Sequence, residues 1–459
     1  MLTYSLSLFD IIISTAYIIL IIISIKFFYK KSNLPYNKYF RPFIFYKIFF
    51  AIFFVVLHIY VYEGGDTFLY FAGSKFIINQ IIENPESTFS FLFGSKEAMT
   101  QIHFTQNYGI FIAFNDNTTL TQSQIGAPFA FIAFQQFLCT NILFSLFSAS
   151  GIWALYSTLC KLYPKAYKSL AIGVLFYPTI AVWGSGLLKD PIVIASIGWI
   201  FQSVYNLTER KKVIRSIVII LISISLCLQL KSYVLYTFVP AMLLWLQGRF
   251  SKNIKNNLLR YTITPFILVS TIVGGYFFLL NVSESAGKYS LENVEQVAKG
   301  FQDWHTYLAE TGNQSGYSLG EINFTPLGLL QKTPEAIFVT YYRPRPDEIR
   351  NFATAFESIQ STLLLLITIY IIFKVGLITF FRIMFSNKDV RAFMIFAILL
   401  GVAVGLTSYN FGALSRYKLP CLPFFTSSLA IIYFIGKQKD TKANNLEKQR
   451  LLRIKGRPN

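Results

Sequence analysis

Apolar runs recur along the chain near residues 7–28, 42–62, 137–159, 169–187, 191–206, 214–230, 233–247, 262–281, 358–381, 391–409 and 417–436. Crossing the ~30 Å hydrocarbon core of a bilayer takes about 20 helical residues, so the pattern predicts an all-α polytopic membrane protein of about eleven transmembrane helices. Two polar intervals are long, residues 63–136 and 283–356. The first holds an amphipathic stretch from Phe68 to Ile82 and an apolar-polar alternation from Ile125 to Phe137. The second holds a predicted helix from Leu291 to Thr311 and the turn-rich Gly312-Asn313-Gln314-Ser315-Gly316. Loops of this length that carry apolar residues at helical spacing are expected to fold on the membrane surface. Residues 1–436 then form one transmembrane domain, and 437–459 a basic, solvated cytoplasmic tail.

Cation clusters between the runs set the orientation. They fall at Lys30, Lys31, Lys38 and Arg41, at Lys161, Lys165 and Lys168, and at Arg210, Lys211, Lys212 and Arg215. Further clusters lie at Arg249 to Arg260, at Arg382 to Arg391, and from Lys437 onward. All share one side if the amino terminus is outside and the carboxyl terminus inside, which satisfies the positive-inside rule. Of the 22 acidic residues only about four (Glu209, Asp389, Asp440, Glu447) then face the cytoplasm. Composition agrees: 54% hydrophobic, 17% aromatic and only 14% charged exclude an ordinary soluble domain. The net charge of +19 resides in these clusters, so nucleic acid is not the expected partner; membrane lipids are. The first run is too long for a signal-peptide core and has neither a cation before it nor a small-residue cleavage pattern after it, so it is read as retained. Cys139, Cys160, Cys227 and Cys421 lie in or beside apolar runs without metal-ligand spacing.

With that orientation the polar groups of chemical interest gather on the outer face: Asp66, Lys189, Asp190, Lys231, Arg343, Arg345, Arg350, Glu357, Arg416 and Lys418. Glu63-Gly64-Gly65-Asp66 follows the second run directly. Paired glycines allow positive φ and close approach of a ligand, so Asp66 is a candidate base at the membrane surface; the plainer alternative is a helix end with a solvated carboxylate. Tyr342-Arg343-Pro344-Arg345-Pro346-Asp347-Glu348 presents two guanidinium forks suited to phosphate; the alternative is that they anchor at lipid headgroups or pair with Asp347 and Glu348. Arg416 and Lys418 precede Pro420 in the same way. Gly184-Ser185-Gly186-Leu187-Leu188-Lys189-Asp190 reads either as an amide cradle for an anion or as a connection in which Asp190 caps the next helix. His58, His103 and His305 lack paired ligand spacing and are read as structural. Asn-x-Ser/Thr triplets such as Asn117-Thr118-Thr119 are expected by chance and carry no weight.

Gly65-Asp66-Thr67 with Tyr70, Ser185-Gly186 with Lys189-Asp190, Arg343-Pro344, and Arg416 before Pro420 and Pro423 resemble motifs of the GT-C superfamily, in its bacterial envelope-polysaccharide type. These are membrane glycosyltransferases that take a sugar from a polyprenyl-phosphate-linked donor on the outer face of the membrane. The resemblance implies Asp66 as the catalytic base and Lys189, Arg343, Arg345, Arg416 and Lys418 as lipid-phosphate ligands. Glu63, Tyr70, Asp190 and Lys231 are supporting residues, and the acceptor is a glycan or lipid-linked molecule. The paired acid of the first loop appears here only as Glu63, three residues before Asp66, and the extra leading span puts the amino terminus outside. Dependence on a divalent cation is therefore left open. An O-antigen-type oligosaccharide polymerase, a transporter and a non-catalytic membrane component are the alternative readings.

Overall fold

The apolar runs become helices that stop where a residue satisfies or removes the loose backbone groups of a helix end. The computed structural model describes residues 4–28, 34–95, 114, 116–250, 316–320 and 326–455; among them there is no strand, only an isolated bridge between Gly316 and Asn410. Where the sequence suggests one transmembrane domain, the chain divides into two compact units, Met1–Leu235 and Tyr236–Asn459.

The first unit contains α1 (Leu8–Phe28), α2 (Phe40–Tyr60), α3 (Asp66–Glu83), α4 (Thr88–Phe93), α5 (Asn117–Ile132) and α6 (Phe137–Leu162). It continues through the short α7 (Tyr167–Leu170) and α8 (Pro178–Trp183) to α9 (Lys189–Thr208) and the first part of α10 (Val213–Phe250). Helix α6 packs on α1, α2, α5 and α9. Small residues set the tightest crossings. A Cβ added to Gly198 of α9 would lie 2.1 Å from the Gly151 carbonyl oxygen of α6, so the two backbones meet there. Helix α3 meets α5 at Gly73 and Gly126, whose added Cβ atoms would lie 2.4 Å from Ser123 Oγ and 2.5 Å from Ser74 Oγ. The Phe68–Ile82 stretch lies within α3, with Phe68, Tyr70, Phe71, Ile77 and Ile78 buried in the unit's core.

The second unit holds the end of α10, α11 (Pro326–Tyr342), α12 (Phe352–Val375), α13 (Leu377–Ser386), α14 (Lys388–Thr407), α15 (Phe411–Tyr417) and α16 (Leu422–Lys455). Asn351, Asn387 and Asn410 cap α12, α14 and α15, each side chain accepting from backbone amides of the first turn. Helix α11 falls inside the expected 283–356 loop and docks on α14, where Thr340 and Tyr341 donate to the Gly401 and Ala397 carbonyls, each at 2.7 Å. The expected helix Leu291–Thr311 lies outside the described residues, as does most of the Gly312–Gly316 turn.

Among the described residues six helices are long and apolar enough to cross a membrane, or seven if the bent pair Phe411–Tyr417 and Leu422–Gln438 is one span. The lower number has local causes. The 169–187 run is broken by a π-turn at Ala171–Leu175 and by Pro178, before which Tyr177 is extended (ψ 122°) as a residue preceding proline must be. The 191–206 run forms α9, whose Gln202 and Asn206 lower its apolarity. The 214–230 and 233–247 runs follow each other in α10, two helices joined across a kink at Lys231 (φ −151°, ψ 73°) without an intervening loop. The 262–281 run lies outside the described residues. The last span bends by 70° around 418–421, and its helix carries on through the basic tail to Lys455.

Candidate functional site

Helix α2 ends at Tyr60, and the chain turns through residues 61–65 into α3. Only one of the two glycines uses its freedom: Gly65 sits at φ 120°, ψ 170°, a region closed to side chains, while Glu63 takes φ 48° and is exposed. His58 supports the turn from below. Its Nδ1 lies 2.9 Å from the Phe54 carbonyl, and a Cβ on Gly65 would come within 3.2 Å of its ring. Asp66 is exposed and opens α3, where the unpaired amides of the first turn favour a negative charge.

Tyr70 lies one turn beyond Asp66 and so shares its side of α3. The Lys189 ammonium stands over the Tyr70 ring, 5.4 Å from its centroid, and also reaches Asp116 at 3.3 Å and the Thr118 hydroxyl. Asp116 is the N-cap of α5. It accepts from the Thr118 amide at 3.1 Å and from the Thr118 and Thr119 hydroxyls at 2.8 and 2.6 Å. Desolvation pushes the Asp116 carboxyl up, but the hydrogen bonds from Thr119 and Thr118 and the charge of Lys189 together outweigh it and hold the pKa at about 2. Asp66, Tyr70, Lys189 and Asp116 are thereby gathered around the first turns of α3 and α5: an accessible carboxylate, and a cation held on an aromatic face by a second carboxylate.

Lys189 is positioned by the buried turn Gly184–Leu188. Four of its five amides are already used: Gly184 donates to Ile180, Ser185 to Val182, Leu188 to Gly186, and Leu187 to the Asn141 side chain. The amide-cradle reading of this segment is therefore corrected, because four donors of the turn are spent inside the protein. The Gly184 carbonyl accepts from Ser148 Oγ at 2.7 Å and from Lys47, a fully buried lysine within α2 whose cation sits at the negative end of α8. Gly186 lies against the Phe54 ring, where a Cβ would be 2.1 Å away. Nor is Asp190 the cap of α9. The N-cap is Leu188, which has no side-chain bond, and the fully buried Asp190 carboxylate pairs instead with Lys231 at the kink of α10.

In the second unit every candidate cation with a resolved ion pair meets a carboxylate. Arg343 is bidentate on Glu348, with Nε at 2.9 and 3.0 Å from the two oxygens, and its guanidinium lies over the rings of Tyr317 and Phe411 at 5.7 and 5.6 Å. Arg345, with a side chain 54% exposed, pairs with Asp347 at 2.9 Å. Lys418 is buried, its Nζ 3.9 Å from the equally buried Glu357. Arg416 is half-buried at the end of α15. Tyr317 is anchored to the same turn by its amide on the Tyr409 carbonyl at 3.0 Å, and burial pushes its hydroxyl pKa up. The fork-on-carboxylate alternative thus describes Arg343 and Arg345 as they stand; a phosphate at either must displace or share the acid.

Two residues of the first unit escaped the sequence reading. Asp116 was signalled by Asp116-Asn117-Thr118-Thr119, a helix-start pattern passed over as a chance triplet. Gln122, on the same helix, carries no local signal at all. Among the described residues no group of three or more His, Cys, Asp or Glu side chains could hold a metal ion. Compared with protein-family models, curated proteins and solved structures, the chain matches none of them.

Proposed function

We propose that the protein is a membrane glycosyltransferase that moves a sugar from a polyprenyl-phosphate-linked donor to a glycan or lipid-linked acceptor on the outer face of the cell membrane, in assembly of envelope polysaccharide. The observation that carries this reading is the placement of Asp66: exposed by a glycine-only turn at the start of α3, one turn from the tyrosine on which Lys189 rests. In this reading Asp66 takes the proton from the acceptor hydroxyl as the oxygen attacks the sugar's anomeric carbon, and the bond to the lipid phosphate breaks with its electrons leaving on the phosphate. A positioned base of this kind typically contributes about 10²–10⁴-fold. Lys189, held over the Tyr70 ring, meets the leaving phosphate in this reading, releasing Asp116 to do so. Arg345, the most exposed of the paired cations, with Arg343, Arg416 and Lys418, are the further lipid-phosphate ligands of the proposal; Glu63 flanks the base. The amino terminus outside and the carboxyl terminus inside follow from the cation clusters.

The polymerase alternative shares the substrate class but does not need Asp66 as a base, so dependence of transfer on that residue separates the two readings. Purification of the full chain from its own membranes, followed by mass spectrometry of the bound lipid, tests the donor class. A polyprenyl-phosphate-sugar enriched over an unrelated polytopic protein is expected; bound phospholipid alone counts against it.

A further inference from the structure

We infer that Gln122 forms, beside Lys189, a hydrogen-bonding subsite for a sugar hydroxyl. The inference rests on the transferase reading for the identity of the ligand and on geometry for its place.

Gln122 has no exposed surface, and among the described residues neither its Oε1 nor its Nε2 has a hydrogen-bond partner. A carboxamide carries two donors and an acceptor with two lone pairs, and buried groups of this kind are nearly always satisfied, because each unmet group keeps its full desolvation cost. The surroundings show where this amide is aimed. Thr118, Gln122 and Gly126 succeed each other at four-residue intervals and form one stripe of α5. At one end of the stripe the Thr118 hydroxyl holds the Lys189 ammonium. At the other, a Cβ on Gly126 would lie 2.5 Å from Ser74 Oγ of α3 and 3.1 Å from Leu187 Cδ1. The stripe therefore lies between α3 and the segment Leu187–Lys189, and Gln122 stands midway along it.

The rest of α5 is accounted for. Ser123 packs on Gly73 and its carbonyl accepts from Ser74, and the neighbouring amide of Gln124 is spent on the Phe91 and Gly94 carbonyls at 3.2 and 2.9 Å. Gln122 alone of the two glutamines is unspent. Thr67 Oγ1, a buried hydroxyl with no hydrogen-bond partner among the described residues, adjoins Asp66 on α3. A phosphate arriving at Lys189 would use the amide's donors and leave its acceptor unmet. A hydroxyl both donates and accepts, and so matches both ends of the carboxamide. Lys189, with 14% of its side chain exposed, stands at the Thr118 end of the stripe.

The test compares wild type with Gln122→Met, which keeps the length of the side chain and removes its polarity, in detergent-solubilised full-length protein. The probes are the methyl glycosides of glucose, galactose, mannose and N-acetylglucosamine, read by saturation-transfer NMR. At least one is expected to bind wild type and to bind the variant about tenfold more weakly, the worth of one or two hydrogen bonds. The thermal midpoint of Gln122→Met is expected to equal or exceed that of wild type, since an unmet amide is gone. A lowered midpoint would show that the amide already has a partner inside the protein and overturns the inference. Equal glycoside signals in the two proteins, or none in either, overturn it as well. Binding that depends on Gln122 while neither wild type nor Asp66→Asn transfers sugar would keep the subsite and discard the transferase.

Discussion

At the scale of single residues the account depends on which carboxylates are committed and which are accessible. Asp116 is committed. Its pKa is lowered from 3.8 to about 2, so the stability it contributes is present in full above the ordinary carboxylate range and is lost as pH falls through the folded value. With 53% of the side chain exposed, solvent screens the effect and it is small. The thermal midpoints of wild type and Asp116→Asn should therefore differ by a constant amount from neutral pH down to about 4 and converge below it. Convergence already by about pH 6 would mean that another group sets the difference. Asp66 and Tyr70 were legible in the sequence because a glycine turn and one helical turn relate them locally. Asp116 was not, since its partner Lys189 lies 73 residues away and only packing joins them. The same limit hid the carboxylates of Lys231 and Lys418, whereas Glu348 and Asp347, near in sequence to their arginines, were foreseen as an alternative.

At the scale of elements, hydrophobic runs announced where helices lie but not how they connect. A run gives length; it does not distinguish a helix from short pieces joined by a π-turn and a proline, as happened over 169–187, nor a tight turn from the kink at Lys231. Close crossings are equally silent, because a glycine in an apolar run has no periodic signature. The α6–α9 crossing is the most exacting of them. Gly198→Val would drive a side chain into the Gly151 carbonyl and should cost about 1–3 kcal/mol, read as a lowered thermal midpoint in detergent. Gly64→Ala, whose added carbon meets nothing nearer than the Tyr62 oxygen at 3.8 Å, is the matched control and should change little. Similar midpoints for the two variants would show that α6 and α9 do not approach so closely.

At the scale of the whole molecule, helix α10 bears most on orientation. Its 38 residues, two helices joined at Lys231, are nearly twice the ~20 that cross a hydrocarbon core, and the basic clusters Arg210–Arg215 and Arg249–Arg260 flank it in sequence. A single crossing would place those clusters on opposite faces; two crossings meeting at Lys231 keep both inside, as the proposed orientation requires. The four native cysteines are buried, so introduced ones can be read against a low background. In intact cells an impermeant thiol reagent should label Asn117→Cys and spare Lys212→Cys and Asn444→Cys until the membrane is opened. Labelling of Lys212→Cys but not Asn444→Cys in intact cells would reverse part of the topology.

The central claim is that Asp66 draws the proton from the acceptor, and the most direct measurement is sugar transfer by membranes holding equal amounts of wild-type and Asp66→Asn protein, with the lipid-linked donor recovered from the purified wild type. Asparagine keeps the size and much of the hydrogen bonding of the carboxylate but cannot take up the proton. Transfer should fall by about 10²–10⁴-fold while insertion and bound donor stay unchanged. Comparable transfer by the two proteins would contradict the account.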